Sequence, residues 1–239
     1  MTVEMPTDEN PVVVVEGDCL DVLRAMPDGR VDAVVTDPPY GIALSSHGTW
    51  FRGMTTIAGD ESTAIGQKVI DQCHSRQWPV LAFASPLKPW RGDWRQALVW
   101  NKGGAVGIGG DRATCWKQSW ELIQVGRLFP EVYGDRDEAV LEFPISPSLS
   151  RHHPAAKCSR LMRYLVRKLT RPGDTIIDPF AGSGTTGVAA IAEGRKAILI
   201  EKEPKYAAIC RRRVAEAMGL GEGSLLAALQ PSLFPEDSP

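Results

Sequence analysis

A chain of 239 residues with 43% hydrophobic content is long enough to bury the core of one α/β domain. No run of about 18 apolar residues occurs, which argues against a membrane span, and the start lacks the charged-then-apolar plan of a signal peptide. A single cytoplasmic domain over residues 1–239 is therefore expected. Cys19, Cys73, Cys115, Cys158 and Cys210 form no Cys-x-x-Cys pair, so neither a disulfide framework nor a zinc site is indicated, and a net charge of −2 lacks the overall basic excess common in nucleic-acid binders.

Residues 1–11 are polar and proline-containing, and frayed ends have this composition. The β-branched run 12–16 predicts a strand, Gly17-Asp18 a turn, and residues from Cys19 a short helix closed near Pro27. The apolar run 31–35 reads as a second buried strand, so the three elements form a βαβ unit. Asp18 and Asp37 both fall at the carboxyl ends of strands, where open α/β sheets bind ligands. Asp18 also suits a helix N-cap. In Thr36-Asp37-Pro38-Pro39-Tyr40, two prolines stiffen the turn and lack N–H groups. The Asp37 carboxylate and the Pro38 carbonyl are then two acceptors matched to the two donors of an NH2 group, with Tyr40 placed to stack on a flat ring. A plain strand-to-turn boundary uses the same residue types.

Residues 41–59 show no period and have the length of a lid or binding loop. A helix is predicted over 64–76 and strands over 80–84 and 97–100. Trp90 and Trp94, spaced i, i+4, read as packing residues, and the seven tryptophans between 50 and 120 read mostly as core or loop anchors, with stacking on bases the alternative. Five glycines in 103–110 suit a close backbone approach. Strands follow over 121–125 and, weakly, 139–143 within the irregular segment 126–150. His152 and His153 have no carboxylate or thiol at ligand spacing, so no metal is expected. The helix predicted over 159–170 puts Leu161, Leu165 and Leu169 on one face and Arg160, Arg163 and Arg167 on another. That basic face is the best local candidate for phosphate contact, although such faces are more often simply solvated.

The last unit is a strand over 175–178, a glycine turn through Gly187, a helix to about Glu193, a strand over 196–200 ending in Glu201, and a helix over 204–218. Gly182, Gly184 and Gly187 satisfy G-x-G-x-x-G, which leaves open a nicotinamide-dependent oxidoreductase or a plain nucleotide-binding module. Against this, Asp178-Pro179-Phe180 separates strand from glycines, and an acidic Asp178 repels a pyrophosphate and suits a cationic ligand.

Asp37-Pro38-Pro39-Tyr40 taken with Asp178-Pro179-Phe180-Ala181-Gly182-Ser183-Gly184-Thr185 resembles the S-adenosylmethionine-dependent amino-methyltransferases of DNA. Gly17-Asp18-Cys19-Leu20 and His153-Pro154-Ala155-Ala156-Lys157 match two further family pieces, with Cys158 standing where the family has a proline. The likeness covers residues 12–216, and placing the catalytic motif ahead of the glycine turn is the family's beta arrangement. It implies a permuted seven-stranded Rossmann-like methyltransferase sheet with helices on both faces. It implies a catalytic motif of Asp37, Pro38, Pro39 and Tyr40, in which Asp37 and the Pro38 carbonyl hold the target amine and Tyr40 stacks on the extruded base. Asp18 and Cys19 would meet the cofactor adenine, Glu201 its ribose, and Asp178, Phe180, Gly182 and Gly184 its methionine half, with Ala181 and Thr185 also in the cofactor site. His153 and Lys157 would close the same pocket. Asp at the first motif position favours N6 of adenine as the target, with N4 of cytosine as the alternative. The family reads DNA with a segment between its motifs; here the candidates are residues 41–62 and 126–150, with 101–118 the only other small piece, which predicts short or relaxed specificity. A homodimer, common in this arrangement, would add surface.

Residues 219–239 form an expected flexible tail, with prolines at 231, 235 and 239 opposing a helix. Gln230-Pro231-Ser232-Leu233-Phe234 resembles the pentapeptide by which many bacterial replication proteins bind the sliding clamp. Leu233 and Phe234 either dock on such a clamp, with Gln230, or fold back onto the protein's own surface or a dimer mate.

Overall fold

The computed structural model describes residues 3–27, 31–40, 63–103, 115–116, 118–127, 129, 133, 135–144 and 157–220. Strands β1 (Val12–Glu16), β2 (Ala33–Thr36), β3 (Val80–Ala84), β4 (Trp94–Asn101), β5 (Trp120–Gly126), β6 (Val140–Glu142), β7 (Thr175–Asp178) and β8 (Lys196–Glu201) form one sheet in the order β1-β8-β7-β2-β3-β5-β4-β6. Helices α1 (Cys19–Ala25) and α2 (Ala64–Ser75) cover one face, and α3 (Ser159–Leu169), α4 (Thr185–Ala192) and α5 (Pro204–Ala217) the other.

The strand sequences explain the three layers. In β3, Leu81 and Phe83 enter the core under α3–α5, while Val80, Ala82 and Ala84 enter the core under α1 and α2. In β8, Ala197 and Leu199 face the first core and Ile198 and Ile200 the second. Alternation along a strand that is apolar on both faces fixes the register, because a slip of one residue exchanges the faces.

Most predicted elements stand where expected, with three differences. The sheet carries eight strands, because the short β6 adds to the outer edge of β4. Strands β1 and β2 are parallel members of the same sheet but not neighbours, since β8 and β7 lie between them. Trp94 opens β4, so the i, i+4 spacing to Trp90 is not helical; its indole N–H donates to the Trp90 carbonyl at 2.8 Å. The buried Trp78, Trp90 and Trp100 act as core anchors.

The topology decides where chemistry can occur. From β7 the chain crosses to β8 on one side, whereas from β2 it runs to β3 on the other, and β7 pairs directly with β2. The crevice at this switch point lies at the carboxyl ends of the two motif-bearing strands. Strand β5 is antiparallel to both β3 and β4, so its first residues, not its last, reach that edge.

Candidate active site

Thr36, the final residue of β2, joins the two motifs. Its buried hydroxyl donates to Asp178 Oδ1 at 3.0 Å across the β2–β7 pair. Asp178 also accepts the Phe180 N–H on Oδ1 at 3.1 Å and the Thr186 hydroxyl on Oδ2 at 2.6 Å. Three neutral donors do not replace water or a cation around a buried carboxylate, and no cation among the described residues pairs with it. Burial, helped slightly by Asp37, pushes the Asp178 carboxyl up to about 6. A positively charged ligand group at the end of β7 is what this donor set lacks.

The glycine turn is held from two sides. Gly182 and Gly184 have φ of 53° and 79°, conformations that L side chains avoid, and a Cβ on Gly184 would lie 2.6 Å from Cys210 Sγ. The Gly182 N–H donates to Glu201 Oε2 and the Glu203 N–H to Glu201 Oε1, each at 2.8 Å. Glu201 thereby ties the turn to the start of α5, and each oxygen keeps a second lone pair for an incoming hydroxyl. From α5, Arg213 Nη1 donates to the Ser183 carbonyl at 2.7 Å, to Ser183 Oγ at 2.8 Å and to Thr185 Oγ1 at 3.3 Å. Ala181 and Thr185 are buried beneath this clamp.

Asp18 is the N-cap of α1, accepting the Leu20 N–H at 3.0 Å, with Lys202 Nζ 3.5 Å from its other oxygen. The Cys19 side chain is buried in the core, where burial, with Asp18 adding to it, raises its thiol to about 11. Any ligand contact by Cys19 is thus left to its backbone.

At the end of β2, Asp37 Oδ1 accepts the Tyr40 hydroxyl at 2.5 Å and Oδ2 pairs with Lys157 Nζ at 2.8 Å. Pro38 is buried, Pro39 and Tyr40 half-buried, and no described residue donates to the Pro38 carbonyl. The resemblance grouped Lys157 with the cofactor pocket; the structure places its ammonium at the other motif. There it also donates to Glu121 Oε2 at 2.8 Å and to Tyr40 Oη at 3.3 Å. The ring of Phe83 lies 4.8 Å from Nζ, that of Tyr40 5.5 Å and that of Trp100 5.8 Å, favourable faces for a cation. Lys102 completes the chain, pairing with Glu121 Oε1 at 2.8 Å.

The charges in this cluster are interdependent. Burial raises the Asp37 carboxyl, with Lys157 pulling it down and Glu121 pushing it up. Burial would likewise raise Glu121, yet Lys157 and Lys102 bring it down to about 2. Lys157 resists the lowering effect of burial because Asp37 and Glu121 hold its charge, so its ammonium sits above the ordinary range. Burial and the neighbouring carboxylates lift the Tyr40 phenol well above its usual value, so it remains a donor.

The structure therefore gathers Asp37, Pro38, Pro39, Tyr40 and Lys157 at one strand end and Asp178 to Thr185 with Glu201 at the next. His153, residues 41–62, most of the glycine-rich 103–110 and the tail residues Gln230, Leu233 and Phe234 lie outside the described residues. The basic face of α3 is partly spent within the fold, since Arg163 Nε pairs with Glu193 at 2.8 Å and Arg167 lies 3.9 Å from the same carboxylate. Sequence reasoning missed Thr36, Lys102, Glu121 and Arg213. Of these, only the Thr36 hydroxyl preceding Asp37 carried a local signal.

The N6/N4 methyltransferase family model, described as DNA methylase, matches residues 94–212. YubD of Escherichia coli (strain K12), a protein named as a methylase, is 29% identical over 209 residues, covering 84% of this chain and 89% of its own length. Among solved structures, the M1.HpyAVI–SAM complex superposes with a TM-score of 0.62 at 20% identity over 85% of this chain and 98% of that one. The cytosine-N4-specific PvuII DNA methyltransferase gives 0.64 at 17% identity over 95% and 92%. At such identities the two structures establish the shared fold. With both motifs set side by side on adjacent strands, the Asp37 motif first in sequence, the chain carries a match to the N6/N4 DNA methylase family model over residues 94–212 and is similar to a protein named as a methylase over 84% of its length.

Proposed function

We propose that this protein transfers a methyl group from S-adenosylmethionine to the exocyclic N6 of adenine in DNA. The observation that carries the reading is the Asp37 carboxylate beside the Pro38 carbonyl at the end of β2, one hydrogen-bonded residue away from the buried, cation-seeking Asp178. Asp178 and the turn Phe180, Ala181, Gly182, Gly184 and Thr185 would hold the methionine end of the cofactor, Glu201 its ribose, and Asp18 with the Cys19 backbone its adenine. When bound, the cofactor supplies an electrophilic methyl on a sulfonium.

The rest is work for the chain's own groups. A base inside a duplex cannot reach this crevice, so it is flipped out. Its amine is a weak nucleophile because the lone pair is delocalised into the ring. Hydrogen bonds to Asp37 and to the Pro38 carbonyl hold the nitrogen pyramidal and aim its lone pair along the line of attack. Asp37 has the capacity, since each oxygen uses one lone pair on Tyr40 or Lys157 and retains another. As the N–C bond forms and the sulfonium C–S bond breaks, the nitrogen loses a proton, and Asp37 is the base in reach. Tyr40, steadied by its bond to Asp37, offers its ring to the base.

Nucleoside mass spectrometry of DNA incubated with protein and cofactor tests the reading: N6-methyladenine is expected, and N4-methylcytosine alone would assign the alternative target. Residues 41–62 and 126–150 are the proposed recognition loops of the single domain. They are small, and base readout needs several placed side chains, so recognition is short or relaxed; a methylome with one fixed site of six or more base pairs would contradict this. The tail residues Gln230, Leu233 and Phe234 resemble a clamp-binding pentapeptide, and either they dock on a sliding clamp or Leu233 and Phe234 fold back onto the protein's own surface or a dimer mate. A pull-down with intact protein and with Leu233→Ala/Phe234→Ala tests the docking, equal recovery from both ending the idea.

A further inference from the structure

Lys157 donates to three acceptors, Asp37 Oδ2, Glu121 Oε2 and Tyr40 Oη, which accounts for every proton of an ammonium. Its side chain is 9% exposed, those of Lys102 and Glu121 13% and 16%. The cluster holds two ammoniums and two carboxylates, so its formal charge is balanced. None of these contacts is local in sequence: Lys102 follows β4, Glu121 is the second residue of the antiparallel β5 and Lys157 precedes α3. Trp100 faces Glu121 across the β4–β5 pair, and its ring lies 5.7 Å from Lys102 Nζ as well as near Lys157.

We propose that Glu121 and Lys102 are positioning residues for methyl transfer: Glu121 shares the Lys157 ammonium with Asp37, and Lys102 anchors Glu121, so Lys157 is suspended between two carboxylates instead of closing onto one. This deepens the reading above and rests on it. An ammonium paired with Asp37 alone would neutralise the carboxylate that must accept the substrate amine. Divided between two partners, it fixes the orientation of Asp37 while leaving it a strong acceptor. The balanced charge also keeps a net positive field away from a sulfonium. The groups facing Asp37 among the described residues are Lys157, Glu121, Tyr40 and, through Thr36, Asp178; Lys102 acts at one remove.

The two arms of the relay should act in opposite directions. In Glu121→Gln, Lys157 falls to Asp37 alone and a neighbouring negative charge is lost. In Lys102→Met, Glu121 competes harder for Lys157 and Asp37 loses its share. The primary measurement is a carbon-13 NMR titration of the Asp37 carboxyl, assigned with Asp37→Asn, on full-length protein without ligand. A midpoint lowered by about one pH unit in Glu121→Gln and raised in Lys102→Met is expected. The acid limb of kcat/KM for DNA should move the same ways in active samples. Shifts of the same sign, or none, in folded variants would overturn the proposal. If Glu121→Gln fails to fold, Lys102→Met decides alone by the sign of its shift. The titration does not depend on turnover, so absence of DNA methylation by the wild type would refute the functional reading without deciding this one.

Discussion

Asp178→Asn should stabilise the ligand-free protein at neutral pH. The Asp178 carboxyl is raised to about 6 from an ordinary 3.8, with burial as the main cause. The folded state therefore binds more protons than the unfolded state between those values. Its contribution to stability is full below about 4 and is lost as pH rises through about 6. Two pH units correspond to about 3 kcal/mol, which is the upper limit of what Asn, a neutral analogue, can restore. The Asn oxygen can keep the bonds from Thr36 and Phe180, while its NH2 meets the Thr186 hydroxyl, which must turn from donor to acceptor. That rearrangement costs part of the gain, leaving roughly 1–2 kcal/mol, or a melting temperature higher by about 2–8 °C for a chain of this size. Thermal unfolding followed by circular dichroism at pH 7.5 and at pH 4 is the assay. The advantage should be present at the first pH and lost or slightly reversed at the second, because the cost of turning the Thr186 hydroxyl applies at both while the burial penalty that offsets it is nearly gone at pH 4. A variant less stable than wild type at pH 7.5, or an advantage that persists unchanged at pH 4, would refute the reasoning.

Arg213→Met should loosen the glycine turn by removing all three bonds from Nη1, weakening S-adenosylmethionine binding about tenfold, or ~1.4 kcal/mol, in isothermal titration calorimetry while melting changes by only a few degrees. Asp37→Ala should lower kcat at least about a hundredfold, ~2.7 kcal/mol, with cofactor affinity retained in the same calorimetric assay. Comparable loss of both would make Asp37 a structural residue or a cofactor ligand.

The sequence disclosed those parts of the site that lie on continuous stretches. The buried β2, β7 and β8 announce themselves as apolar runs, and each ends in an acidic residue or directly precedes one, as Asp178, Glu201 and Asp37 show. What it concealed depends on strand order. Periodicity finds β5 but not its direction, and only the antiparallel direction brings Glu121 to the sheet edge that carries Asp37. Lys157 could be matched to a motif, yet its partner was decided by the β4–β5 pair and the rings of Phe83 and Trp100. Asp18 illustrates the opposite case, where the local N-cap geometry was legible and a ligand role would add to it.

Gly66 connects packing to function at a position with no chemistry of its own. In the middle of an exposed helix, Gly→Ala gains about 1 kcal/mol, and composition alone would recommend it. Here a Cβ would stand 2.6 Å from Trp90 Cη2 and 2.8 Å from Pro38 Cβ, and overpacking of this kind costs about 1–3 kcal/mol. Which neighbour yields decides the outcome. Trp90 is pinned: its indole N–H donates to the Phe83 carbonyl at 2.8 Å, its backbone N–H to Gln124 Oε1 at 2.8 Å, and its carbonyl accepts from Gln124 Nε2 at 3.1 Å. Pro38 has no donor to anchor it and should move by about half an ångström, carrying Asp37 and its own carbonyl with it. Displacements of that order in a reacting geometry cost about tenfold or more in rate. Gly66→Ala is therefore expected to melt within a few degrees of wild type, because the two stability effects oppose each other, while kcat falls at least about tenfold and cofactor affinity is unchanged. An unchanged kcat in a variant of near-normal stability would show that Trp90 yields instead, and that α2 does not hold Pro38 in place.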